Sequence, residues 1–117
     1  MSSNVRLFFN PACSKCRKSL TLLEEIHQPV EIVEYLASPP ERDELESILG
    51  MLGLEPRELM RHNEAPYAEL QLDNPALDRA QLIDAMLAHP VLIERPILIK
   101  DGRAVIGRPP ERILDIL

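Results

Sequence analysis

Aromatic side chains are nearly absent from this chain. Its 117 residues hold two phenylalanines, two tyrosines and no tryptophan. The core must therefore be built from aliphatic side chains, and 45% hydrophobic residues with 27% charged ones suffice for an ordinary globular protein. Long apolar runs are lacking too, so no membrane span is expected. The opening Met1-Ser2-Ser3-Asn4-Val5-Arg6 carries no apolar signal segment, and a cytoplasmic, reducing setting is expected. Positive charge is in deficit, with a formal net charge of -6. That argues against general nucleic-acid binding. No internal repeat, low-complexity stretch or linker marks a second domain, so residues 1–117 read as one domain. Metal ligands are sparse: His27, His62 and His89 stand singly and far apart, so no metal site and no bound cofactor are expected.

Cysteine is limited to two residues, and both lie in Asn10-Pro11-Ala12-Cys13-Ser14-Lys15-Cys16-Arg17-Lys18. The stretch follows a short apolar run, Val5 to Phe9, and opens a helix-like run. A Cys-x-x-Cys at a strand-to-helix junction is a redox signature. The first helical N–H groups lack partners and point toward the Cys13 sulfur. Lys15, Arg17 and Lys18 add positive charge. Both effects favour thiolate over thiol, so the Cys13 pKa is expected below the free value of about 8.5. Cys16 lies one turn deeper, within reach of the first sulfur. Other readings are a pair of buried hydrophobes, half of a zinc site, or a structural disulfide. The polar context opposes the first, the missing ligands the second, and the missing signal segment the third.

Along the chain, Val5–Phe9 reads as a buried strand and 14–26 as a helix with Leu20, Leu22, Leu23 and Ile26 at helical spacing. Val30–Tyr35 reads as a second strand, which makes a βαβ unit with parallel pairing. Ser38-Pro39-Pro40-Glu41 reads as a capped helix start, followed by Leu45, Ile48, Leu49 and Leu52, with Gly53 as C-cap. Short helices are expected from Pro56 to Met60 and around Tyr67–Leu70. Asp78 with Gln81 caps another helix, whose inner stripe is Leu82, Ile83, Met86 and Leu87. Residues of about 38–89 thus form a helical insert. Ile97–Lys100, Asp101-Gly102 and Ala104–Gly107 read as a hairpin, and Pro109–Leu117 as a last helix with Ile113, Leu114 and Leu117 inward. The order β-α-β, helices, β-β-α is that of an α/β thioredoxin-like fold with a mixed four-stranded sheet. In such folds a cis proline precedes the third strand and offers backbone polar groups to a bound thiol substrate. Pro96 holds that place.

The chain as a whole resembles the glutaredoxin-coupled arsenate reductase (ArsC) family, in its shorter branch. The resemblance rests on Asn10-Pro11-Ala12-Cys13, Tyr35-Leu36 with Ser38-Pro39-Pro40, Leu59-Met60-Arg61, Gln81-Leu82-Ile83-Asp84, Glu94-Arg95-Pro96-Ile97 and Gly107-Arg108-Pro109-Pro110. It implies a Cys13 nucleophile that attacks arsenate, with glutathione as co-substrate and glutaredoxin completing reduction to arsenite. By motif, Arg61, Arg95 and Arg108 match the family's oxyanion-binding arginines, and Asn10 joins them as a substrate contact. Guanidinium forks suit a multiply charged tetrahedral oxyanion and offset its repulsion of a thiolate. A monomer is expected. The chain departs from many relatives in Phe9, where they have a histidine thought to help the thiolate form, in Cys16, where they have serine, and in its lack of a longer tail after Leu117. Cys16 is expected to act as a second redox cysteine. The rival readings are an Spx-type redox-sensing regulator that binds RNA polymerase and a glutaredoxin-like dithiol oxidoreductase. The Spx-type reading does not need three arginines as an oxyanion set.

Overall fold

The computed structural model describes residues 4–117; Met1, Ser2 and Ser3 of the non-apolar start lie outside the described residues. The order is β1 (Val5–Phe8), α1 (Ser14–Glu25), β2 (Glu31–Val33), α2 (Arg42–Leu52), α3 (Pro56–Leu59), α4 (Ala65–Glu69), α5 (Arg79–Ala88), β3 (Ile97–Lys100) and β4 (Arg103–Ile106). Two 3-10 segments, Pro90–Leu92 and Pro110–Ile116, complete it. The sheet runs β2-β1-β3-β4. β1 and β2 pair in parallel, while β1/β3 and β3/β4 are antiparallel. This is the mixed four-stranded sheet of a thioredoxin-like α/β fold. Two compact units divide the chain: the described residues through Ser38 together with Arg95–Leu117, and Pro39–Glu94.

In the first unit the period of two in β1 sends alternate side chains to opposite faces. Val5, Leu7 and Phe9 join Leu98 and Val105 in one core with Cys13, Cys16, Leu23, Ile113 and Ile116. Phe8 faces the other way and stacks on Tyr35, ring centroids 5.8 Å apart. The inward stripe of α1 is Cys16, Ser19 and Leu23. Ile26, expected in that stripe, is the C-cap residue and is 50% exposed, because the helix has ended and His27 turns the chain at φ 56. β2 is shorter than the expected Val30–Tyr35. It is an edge strand with Ile32 exposed, and the turn closed by Tyr35 N–H on the Val33 carbonyl at 3.0 Å stops it. The Asp101-Gly102 hairpin forms as expected, with both central residues at positive φ (49 and 76), the pattern of a type I′ turn. The last segment is a 3-10 helix, not an α-helix. Its period of three buries Ile113 and Ile116 and leaves Leu114 exposed. Leu117 is partly buried against the core.

The second unit is helical. Leu45, Ile48, Leu49, Leu59, Ile83, Met86, Leu92 and Ile93 are fully buried within it. α2 begins at Arg42 with Glu41 as N-cap, not at Ser38. The reason is Pro40: a proline keeps the residue before it out of the helical region, so Pro39 cannot be a first helical residue. Gly53 ends α2 in the left-handed conformation at φ 68, as expected. Asp78 and Gln81 form the expected reciprocal cap on α5: each backbone N–H donates to the other's side chain at 2.9 Å. Ala85 and not Leu87 completes the buried stripe of α5.

Candidate active site

Cys13 is the N-cap of α1, with extended backbone angles (φ -95, ψ 122). The preceding loop is pinned by Asn10. Its Oδ1 accepts from the Ala12 N–H at 3.0 Å, and its carbonyl accepts from the Cys13 N–H at 2.9 Å. This Asx-type turn aims the chain into the helix. The Cys13 carbonyl in turn takes the Arg17 N–H at 3.1 Å, so the sulfur stands where the first helical donors are unspent.

The two thiols titrate in opposite directions. Burial alone would raise Cys13. The backbone N–H of Cys16, the Cys16 thiol, the N–H of Lys15 and the charge of Arg95 outweigh it, and Cys13 sits below its ordinary value. Cys16 is fully buried. Burial pushes it up to about 12, with the neighbouring Cys13 adding to the rise and an Asn10 backbone contact and Arg95 opposing it. Cys13 is therefore the first of the pair to ionise, and its thiolate accepts a hydrogen bond from the Cys16 thiol. The cation that contributes, behind these hydrogen bonds, is Arg95. The side chains of Lys15, Arg17 and Lys18, expected to share that work, are exposed, where solvent screens them. Phe9, in place of a histidine, is buried in the same apolar cluster as both cysteines.

Arg95, Pro96 and Arg108 lie in the same unit as the cysteines. Arg108 Nε donates to the Arg95 carbonyl at 2.8 Å, and both side chains are half-buried. The Arg95-Pro96 peptide bond is cis, as the fold implies, and the Pro96 carbonyl accepts from the Gly107 N–H at 2.9 Å. Gly107, the first residue of the Gly107-Arg108-Pro109-Pro110 motif, has a steric role. A Cβ there would lie 2.8 Å from Pro96 Cγ, 3.0 Å from Ser19 Oγ and 3.1 Å from Ile113 Cγ2. Only glycine lets these three elements meet. Ser19 is also unforeseen: it is a fully buried polar residue one turn beyond Cys16, and its Oγ has no hydrogen-bond partner among the described residues. Its place three residues after Cys16 was the available signal.

Arg61 belongs to the helical unit. Its Nε lies 3.1 Å from Glu64 Oε1 and its Nη1 3.0 Å from Glu94 Oε1. The i,i+3 spacing to Glu64 was legible in the sequence; the partnership with Glu94 required the bridge between Met60 and Ile93 that aligns the two segments. Among the described residues no group of three or more His, Cys, Asp or Glu side chains could hold a metal ion. Among them, too, no helix is long and apolar enough to cross a membrane.

The comparisons with known proteins agree with one another. The model of the ArsC family matches residues 8–116. An arsenate reductase of Neisseria meningitidis serogroup A is 46% identical over 114 residues, covering 97% of each chain. The uncharacterized protein YfgD of Escherichia coli K12 is 44% identical and covers 100% of this chain and 99% of its own. The solved structure of an arsenate reductase from Vibrio cholerae superposes with a TM-score of 0.94 at 44% identity, covering 97% of each chain.

Proposed function

The chain belongs to the ArsC family, and on that premise we propose that it reduces arsenate to arsenite through a Cys13 nucleophile, with glutathione and glutaredoxin supplying the electrons. The observation that carries this reading is the Cys13 thiol, held below its ordinary value at a helix start beside Arg95. The thiolate is the species that attacks an electrophilic centre, and a lowered pKa makes more of it.

The chemistry balances as follows. The Cys13 thiolate bonds to arsenic, and one arsenate hydroxyl leaves as water with a proton taken from solvent. Glutathione condenses onto the same arsenic, its thiol proton leaving with a second oxygen as water. A glutaredoxin thiolate then takes the glutathionyl sulfur as a disulfide. The electron pair of that arsenic–sulfur bond stays behind, which converts arsenic(V) to arsenic(III). Hydrolysis of the last arsenic–sulfur bond frees arsenite and Cys13. Arg95 and Arg108 serve as oxyanion contacts from the cysteine-bearing unit, and charged hydrogen bonds of this kind contribute on the order of 1.5–3 kcal/mol each. Arg61 is assigned the same role by motif; its two carboxylate partners compete with an anion for the guanidinium. Asn10 acts through the loop it pins, and Pro96 offers backbone to the incoming thiol. A cytoplasmic, reducing compartment suits both thiols.

The deciding assay is arsenate-dependent NADPH oxidation with glutathione, glutathione reductase and glutaredoxin. Saturable turnover is expected. A rate no higher than that of the coupling mixture alone would remove the assignment.

The hydrogen bond from Cys16 to Cys13 favours a second, dithiol route. Cys13 forms a mixed disulfide and Cys16 resolves it, giving an intramolecular disulfide that glutathione or glutaredoxin reduces. Diamide treatment should lower the intact mass by two hydrogens in the wild type and not in Cys16→Ser. An unchanged mass in the wild type would make Cys16 a packing residue.

A further inference from the structure

A groove of about 330 Å³ runs beside the start of α1, lined by Ser14, Lys15, Lys18, Pro110 and Glu111. Small-molecule sites begin at about this size, roughly 300 Å³. Nothing in the attack on an oxyanion uses it. Its wall is continuous with the nucleophile, since Ser14 follows Cys13 and the Lys15 N–H is one of the donors to the Cys13 sulfur. Lys15 and Lys18 are three apart on a helix and so share a face. Glu111 comes from the opposite wall, the first turn of the C-terminal 3-10 segment. All three charged side chains are exposed, and none is engaged in an ion pair among the described residues.

We infer that this groove seats the small-thiol co-reductant: a peptide-sized thiol carrying two carboxylates and one ammonium, the class to which glutathione belongs. The inference rests on the glutathione-dependent reading above. The charges match one for one. Lys15 and Lys18 take the two carboxylates, Glu111 takes the ammonium, and Pro110 covers the methylenes between them. The thiol then lies at the Ser14 end, next to whatever is bonded to Cys13. A thiol seated there meets the Cys13 adduct as a neighbour and no longer by chance collision. Opposite charges on the two walls also select against a plain dianion, which Glu111 would repel, and against a neutral thiol, which gains nothing from either wall.

The test is a titration of the full Cys13→Ser chain with S-methylglutathione, which cannot form a disulfide, followed through backbone amide chemical shifts. Saturable shifts are expected at Ser14, Lys15, Lys18 and Glu111. In the additional Lys15→Glu/Lys18→Glu background Kd should rise about tenfold or more, as charge reversal on both contacts implies. In the coupled assay the same pair of substitutions, made in the wild-type chain, should raise the KM for glutathione by a similar factor. Because both lysines are exposed, the variants fold. Absence of saturable shifts in the groove, or the same Kd in the charge-reversed chain, overturns the site. The two proposals can fail separately. Binding of S-methylglutathione in the groove without arsenate turnover keeps the groove and removes the reaction. Turnover with an unaltered glutathione KM in the charge-reversed enzyme removes the groove and keeps the reaction.

Discussion

Cys13 and Cys16 are the same residue type three positions apart, and their surroundings divide the labour between them. Cys13 meets the unspent N–H groups at the helix start; Cys16 meets Val5, Leu7, Leu23 and the rest of the apolar cluster. Two consequences can be measured at single residues. Cys13→Ser should abolish turnover in the coupled assay and leave the far-UV spectrum intact, since serine is an able N-cap; turnover by a folded Cys13→Ser chain would show that another group is the nucleophile. Arg95→Ala should raise the pH midpoint of Cys13 alkylation by iodoacetamide, because Arg95 is the charge that favours the thiolate. Cys16 should resist the reagent at any pH short of about 11, its thiol being held near 12. A midpoint unmoved by Arg95→Ala would leave the backbone N–H groups and the Cys16 thiol as the whole cause. Arg61 is held by two part-buried ion pairs, with Glu64 and Glu94, whose side chains are only between 18% and 28% exposed; they fix the direction of its guanidinium.

Among the elements, α1, the Pro96 segment and the C-terminal 3-10 helix approach one another closely enough to exclude a Cβ. Gly107 is the point where they touch. Gly107→Ala should destabilise the protein by about 1–3 kcal/mol, the usual cost of overpacking, and chemical denaturation would measure it. The same substitution should lower turnover, because Arg108 follows directly and its Nε is held on the Arg95 carbonyl. Full stability in the variant would mean that Pro96 and Ser19 yield freely. At the other end of that contact, Ser19→Ala removes a buried hydroxyl that has no hydrogen-bond partner among the described residues. It should be neutral or stabilising by up to about 1 kcal/mol. A clear loss of stability would reveal a role for the hydroxyl. Elsewhere the elements obey local rules: the Asp78/Gln81 cap, the Gly53 stop and the Asp101-Gly102 turn each form from residues adjacent in sequence.

For the molecule as a whole, the buried thiol ties stability to alkaline pH. The folded pKa of Cys16 is raised to about 12, against about 8.5 in an unfolded chain. The folded state thus holds its proton where the unfolded state has lost it. The contribution is complete below about pH 8.5 and is lost as pH rises toward 12, by at most about 1.4 kcal/mol per pH unit. The lowered Cys13 acts in the opposite sense and only below the unfolded thiol value, so it does not cancel the slope. Denaturation midpoints at pH 8 and pH 10.5 should therefore fall further apart in the wild type than in Cys16→Ala; equal spacing would show that the thiol ionises without unfolding the protein. What the sequence by itself determined was whatever depends on neighbours along the chain: strand and helix order, the hairpin, two helix caps, and a thiol of lowered pKa at a helix start. Those rest on backbone donors, φ preferences and periodicity within a few residues. Tertiary structure alone decided that Arg95 and not Lys15, Arg17 or Lys18 supports the thiolate, that Cys16 is buried beyond ordinary ionisation, that Gly107 has no room for a Cβ, and that two carboxylates hold Arg61. Each of these depends on how closely distant segments approach and how much water remains between them, and Coulomb energy, desolvation and steric exclusion all vary with that distance and not with separation in sequence.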